Sequence, residues 1–194
     1  MLQTSVTNFK RGKNSQYRSR EYLTADEMQR LMDAAENRGR HPIRDLTLLL
    51  LMYRHGLRAS EAASLRWDAV LMDDGLLNIK RLKGSKSGVH PLKADELAVL
   101  ASLKVVAPGQ YLFPSERGTH ITSYGIARLV KRCGELADLP FKVHPHMLRH
   151  ACGYHLANQG FDTRLIQEWM GHRDIKNTER YTALNVERFK EIQW

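Results

Sequence analysis

Apolar residues recur at helical spacing through most of the chain and alternate at strand spacing in one short region. The structured part begins at Tyr22. Thr24, with Glu27 three residues on, predicts a capping box, and Met28, Leu31 and Met32 carry that helix to about Glu36. Pro42 suits the first position of a second helix, which takes in the apolar run 46–53 and closes near Gly56. Ser60 predicts the cap of a short helix through Leu65. Residues 76–82 and 88–92 read as two short strands around the polar turn 83–87. A helix then starts at Ala94 or Asp95 and runs to about Lys104, and residues 111–114 form a short extended piece. Ser123 predicts the cap of a helix to about Ala137, with Ile126, Leu129, Val130 and Cys133 on one face. Pro145 starts a helix ending at Gly160, and Asp162 or Thr163 caps another ending at Gly171. A last helix, from Asn177 or Thr178, carries Tyr181. The expected fold is mostly α with a small antiparallel β-sheet.

The apolar fraction is 42% over 194 residues, enough for a real core. The longest apolar run is too short to span a bilayer, and the first residues lack a signal-peptide core. Cys133 and Cys152 show no metal-type spacing and read as buried, reduced thiols of a cytoplasmic protein. A net charge of +9 makes nucleic acid the first candidate partner and an anionic membrane surface a weaker one. Residues 1–20 hold Lys10, Arg11, Lys13, Arg18 and Arg20 and no acidic residue. They read as a basic flexible arm, either a solvated tail or one that tracks phosphates. Residues 21–194 then form the folded domain.

Three stretches concentrate the chemistry. GLRASE at 56–61 supplies Arg58 and Glu61; HPHMLRH at 144–150 supplies His146 and Arg149. GHRDIKNTERYT at 171–182 supplies His172 and, nine residues on, Tyr181. A phosphodiester under attack gathers negative charge on its equatorial oxygens, and fixed guanidinium groups such as Arg58 and Arg149 stabilise it. A phenol is an easier nucleophile than an alkoxide, with a pKa of about 10. His146 can help remove its proton. A lysine on the hairpin tip, Lys83 or Lys86, can protonate the departing sugar oxygen. His146 and His150 also stand at metal-ligand spacing, but no H-E-x-x-H pattern accompanies them, so no metal is expected.

The ordered set G-L-R-x-S-E, H-x-L-R-H, G-H and a tyrosine nine residues later resembles the tyrosine recombinase (phage integrase-type) family, from Tyr22 to Tyr181. The resemblance implies that family's catalytic-domain fold and a site-specific recombinase working without cofactor through a 3′-phosphotyrosyl link. It makes Arg58 and Arg149 the phosphate-binding arginines, His146 the acid/base histidine, His172 a hydrogen-bond partner of the phosphate and Tyr181 the nucleophile. Glu61 falls at the family's acidic position behind the site. Lys83, eight residues before Pro91, matches the family's hairpin lysine better than Lys86 does.

Typical members carry an N-terminal core-binding helical domain, whereas here the basic arm alone precedes the catalytic domain. That departure implies reliance on the arm, on cooperative assembly or on host DNA-bending proteins. RHGLRASE and the stretch from His144 to Arg173 look like the small fimbrial phase-variation recombinases, which invert a promoter-bearing segment. The implied partners are double-stranded DNA with inverted-repeat recognition sites and a homotetramer at synapsis, in the bacterial cytoplasm at the nucleoid. Two other readings are a type IB topoisomerase-like relaxing enzyme and a non-catalytic DNA-binding regulator. Leu184, Val186, Phe189, Ile192 and Trp194 must bury themselves on their own domain or on a neighbour, and the resemblance favours a neighbour.

Overall fold

Thr24 and Glu27 start the first helix by exchange: Thr24 N–H donates to the Glu27 carboxylate at 2.9 Å, and Glu27 N–H donates to Thr24 Oγ1 at 3.3 Å. Helix α1 spans Ala25–Arg38 in the computed structural model, which describes residues 21–38, 40–82 and 84–183. Its buried stripe is Met28, Leu31, Ala34 and Ala35. Helix α2, Pro42–Arg54, has proline in its first turn and buries the whole run Leu48–Met52. That helix shows no polar face in this run because α1, α4 (Ala94–Val106) and α6 (Pro145–Asn158) surround it.

Helix α3 (Ala59–Ala63) begins earlier than the sequence suggests. The expected cap was Ser60. Instead Arg58 occupies the cap position, because its N–H donates to the Glu61 carboxylate at 2.9 Å. A 3-10 turn at Trp67–Ala69 leads into β1 (Val70–Leu71), a strand too short to show alternation. It pairs antiparallel with β2 (Leu76–Ile79), which pairs antiparallel with β3 (Gly88–Pro91), in the order β1-β2-β3. The sheet therefore has three strands where two were expected, and β2 is shorter than 76–82. The ladder stops at Ile79↔Gly88 because Arg81 leaves it to enter the interior.

The extended piece at 111–114 buries Leu112 and Phe113, and Leu112 N–H donates to the Leu65 carbonyl at 3.1 Å. Helix α5 (Ser123–Leu136) is capped by Thr122 rather than Ser123: the Thr122 hydroxyl accepts from Gly125 N–H at 3.0 Å. Helix α6 ends at Asn158, two residues before Gly160. Asp162 caps α7 (Thr163–Met170) by accepting from Arg164 and Leu165 N–H, and Gly171 closes it in the left-handed conformation. Helix α8 covers Lys176–Thr182.

One core runs through α1, α2, α4, α5 and the sheet. A second, smaller cluster joins Cys152, Ala157, Ile166, Met170 and Tyr181 between α6, α7 and α8. Cys133 and Cys152 are buried free thiols. No helix among the described residues is long and apolar enough to cross a membrane.

Candidate active site

The seam between the two clusters is built on the turn after α2. Gly56 takes φ +57°, and a Cβ there would lie 2.6 Å from the Met170 sulfur. The turn exposes the Gly56 carbonyl to two guanidinium groups and sets Arg58 at the head of α3. Arg58 keeps 27% of its side chain in solvent and donates to Glu61 at 2.6 Å. The other Glu61 oxygen accepts from Arg58 N–H and from Arg81 at 2.8 Å. Burial raises the Glu61 pKa, but these three donors outweigh it and hold the carboxyl below its ordinary value.

Arg149 comes from the first half of α6 and is buried. It donates to the Gly56 carbonyl and, at 2.7 Å, to the Met170 carbonyl at the end of α7. Burial, then the charges of Arg58 and Arg81, pull it down to about 10, so it stays cationic at neutral pH. His146 lies one turn earlier on α6, on the solvent side. Partial burial and the nearby His144, Arg149 and Arg58 hold its pKa below the usual imidazole value.

Gly171 and His172 follow α7. Gly171 takes φ +65°, and its carbonyl accepts from Lys86 N–H at 3.2 Å, which docks the hairpin on this turn. A Cβ on Gly171 would stand 2.6 Å from the Lys86 carbonyl oxygen. The Lys86 side chain is exposed. His172 is buried; its Nδ1 meets the Thr178 hydroxyl at 2.9 Å. Burial first, and then Arg149, Arg58 and Arg81, push His172 down to about 3.

Tyr181, 2% exposed, stacks against His172 with ring centroids 6.3 Å apart and planes 16° apart. Its hydroxyl meets His150 Nδ1 at 2.9 Å. Gly153 lies against the ring, where a Cβ would come within 2.6 Å of two ring carbons. Tyr154 meets it edge-on at 5.1 Å. Burial pushes the phenol up to about 12, against the opposing pull of Arg149 and Arg180.

Arg58, Glu61, Arg149, His172 and Tyr181 thus converge, with His146 at the rim. The hydroxyl of Tyr181 is held by His150 rather than by His146. Lys83 and the arm residues Lys10, Arg11, Lys13, Arg18 and Arg20 lie outside the described residues, as do Leu184, Val186, Phe189, Ile192 and Trp194. His146 and His150 have ring centroids 6.4 Å apart, and among the described residues no group of three metal-type side chains gathers.

Arg81 was not anticipated. Its guanidinium is buried and donates to Glu61, to the Gly56 and His55 carbonyls at 3.2 and 2.9 Å, and to the Trp169 carbonyl at 2.8 Å. The sequence did carry a signal. Leu77, Ile79 and Arg81 share one face by strand alternation, so the charge falls on the inward side. Behind it His55 joins Glu96 at 2.9 Å and His90 at 3.2 Å, and Trp169 covers His90 at 4.0 Å.

An arrangement of cationic forks, hydrogen-bonding imidazoles and a buried phenol is suited to an anionic tetrahedral centre. Comparison with known proteins gives the family. The Phage integrase family model matches residues 21–188. The type 1 fimbriae regulatory protein FimE of Escherichia coli (strain K12) is 43% identical over 177 residues, covering 88% of this chain and 89% of that protein. FimB of the same strain is 39% identical over 181 residues, covering 90% of each. The crystal structure of XerA recombinase matches with a TM-score of 0.77 at 28% identity, over 88% of this chain and 62% of that one. The extra length of XerA has no counterpart in the match. By motif, fold and sequence likeness, the chain belongs to the phage integrase family.

Proposed function

We propose that the protein is a tyrosine-type site-specific DNA recombinase that inverts a promoter-bearing segment in the control of fimbriae. The observation that carries this reading is the Gly56 turn, which ties Arg149 and Arg81 to Arg58 and Glu61 beside the buried Tyr181. Likeness to two type 1 fimbriae regulatory proteins supports the fimbrial setting.

In this reading Arg58 and Arg149 hold the non-bridging oxygens of the scissile phosphate, and their fixed charge favours the transition state. His172 donates a further hydrogen bond, and His146 assists from the rim. The Tyr181 oxygen attacks phosphorus, the bond to the 5′ oxygen breaks, and a 3′-phosphotyrosyl link forms. Lys83 gives the leaving oxygen its proton. The 5′ hydroxyl of a partner strand then attacks the link and frees Tyr181. One phosphodiester replaces another, so the exchange needs no energy source.

The partners are double-stranded DNA carrying inverted repeats and further copies of the chain, four at synapsis, with host DNA-bending proteins assisting at the bacterial nucleoid. The arm at residues 1–20 adds phosphate contacts. The test is a plasmid with two inverted copies of the repeats that neighbour the gene. Inversion is expected, together with a covalent adduct that Tyr181→Phe abolishes while DNA binding persists. Relaxation alone or binding alone overturns the reading.

A further inference from the structure

The phenol of Tyr181 needs somewhere to send its proton, and the residue that meets it had no role in the site as read from sequence. Tyr181 Oη and His150 Nδ1 are 2.9 Å apart across 31 positions of chain. The ring is fixed on all sides that matter: Gly153 against its face, Tyr154 at its edge and His172 stacked beside it. His150 is fixed too, being on the same helix as Arg149 and one turn from His146. Resting on the reading of Tyr181 as nucleophile, we infer that His150 is the catalytic residue that accepts the Tyr181 proton.

The hydrogen-bond order follows from protonation. A phenol pushed up to about 12 keeps its hydrogen at neutral pH, so it has one to give. Nδ1 accepts it, which assigns the ring's own hydrogen to Nε2. In the cleavage step the Tyr181 O–H bond breaks as the O–P bond forms, and the proton moves to Nδ1. The P–O5′ bond breaks, and that oxygen takes a separate proton from the hairpin acid. In rejoining, His150 returns its proton to the released phenolate. No oxidant or metal enters the balance.

The surroundings make this transfer conditional. His150 is held at about 4 by burial and by Arg180, His146, Arg149 and His144, and His172 also faces it beside Tyr181. Against a phenol near 12 the transfer is strongly uphill without substrate. A phosphodiester at the arginines adds negative charge next to the ring, which favours the imidazolium. The same phosphate that receives the attack therefore switches on the base.

The test uses the full chain and a nicked duplex carrying the recombination site defined by the inversion assay. Adduct formation is timed on a denaturing gel for wild type, Tyr181→Phe, His150→Asn, His150→Ala and His146→Asn. His150→Asn leaves an amide near the Nδ1 position but cannot carry the proton onward. It is expected to cleave about a hundredfold more slowly, with unchanged gel-shift affinity. Installing a fluorinated tyrosine of lower phenol pKa at position 181 should recover most of that loss, since a more acidic phenol needs less help. His150→Ala serves if His150→Asn does not fold. Near-wild-type cleavage by the His150 variants overturns the inference. So does a loss that the acidic phenol leaves untouched, which marks a packing role. An adduct that persists in Tyr181→Phe overturns the nucleophile reading instead, and the two failures are told apart on one gel.

Discussion

Arg81 and Arg149 both donate to the carbonyl oxygen of Gly56. One arrives from the end of the hairpin and the other from α6, and each also binds a carbonyl at the end of α7, Trp169 for Arg81 and Met170 for Arg149. The pair therefore stitches three sequence-distant segments around one peptide group. The turn that presents Arg58 cannot shift without breaking both sets of bonds.

Arg81→Ala should consequently damage the fold as well as the site. It leaves a buried carboxylate short of a partner, takes the Arg81 donor from the His55 and Trp169 carbonyls and leaves the Gly56 carbonyl to Arg149. Loss of one member of a buried pair costs about 3–5 kcal/mol. Urea denaturation followed by circular dichroism measures it, and a loss under about 1 kcal/mol would show that the network contributes little.

Arg149→Lys should fold yet cleave poorly, by about a hundredfold or more. The guanidinium reaches the Gly56 and Met170 carbonyls with two separate nitrogens, and an ammonium cannot span both while facing a phosphate. Single-turnover cleavage of a nicked duplex is the measurement. Wild-type speed in the lysine variant would mean that charge suffices without geometry.

Gly153→Ala tests the seat of the nucleophile. The added methyl group would press on the Tyr181 ring, so the ring must move and its hydroxyl must leave His150. Overpacking of this kind destabilises by about 1–3 kcal/mol. Cleavage should fall further than stability accounts for, as read by comparing the adduct rate with the thermal midpoint. An unaltered rate would show that the seat tolerates displacement.

The histidines give stability a pH dependence of definite sign. His90 and His172 are held at about 3 and His150 at about 4, each chiefly by burial, while unfolded imidazoles titrate near 6.5. Between those values the unfolded chain binds more protons than the folded one. Stability is thus complete above about pH 6.5 and declines as the pH falls toward 3. Urea midpoints at about pH 8, 6.5, 5 and 4 should decrease in that order, with loss beginning above the carboxylate range. A midpoint that stays level down to about pH 5 would contradict it.

The readable parts of this molecule are those whose cause is local. Thr24 with Glu27, Pro42, Asp162 and Gly171 act within a turn of the element they start or end, so the helices stand close to their expected places. Arg58 with Glu61 is local as well, though the reciprocal bond shifts the start of α3 away from Ser60. What stayed hidden depends on long reach. Arg81 finds His55 and Trp169 across 26 and 88 positions, and His150 finds Tyr181 across 31. Strand parity could have flagged Arg81 as inward, but not its partners. Strand β1 offers two residues, too few for any periodicity.

Three guanidinium groups, Arg58, Arg81 and Arg149, gather near a single carboxylate, and burial first, then the charges of Arg58 and Arg81, lower the pKa of Arg149. An anion bound beside such a cluster is attracted by all three charges. A polyanion that binds the folded protein and not the unfolded chain stabilises it by mass action. The melting temperature then becomes a gauge of occupancy, and sulfate or short duplexes added to a dilute sample should raise it before any strand is cut.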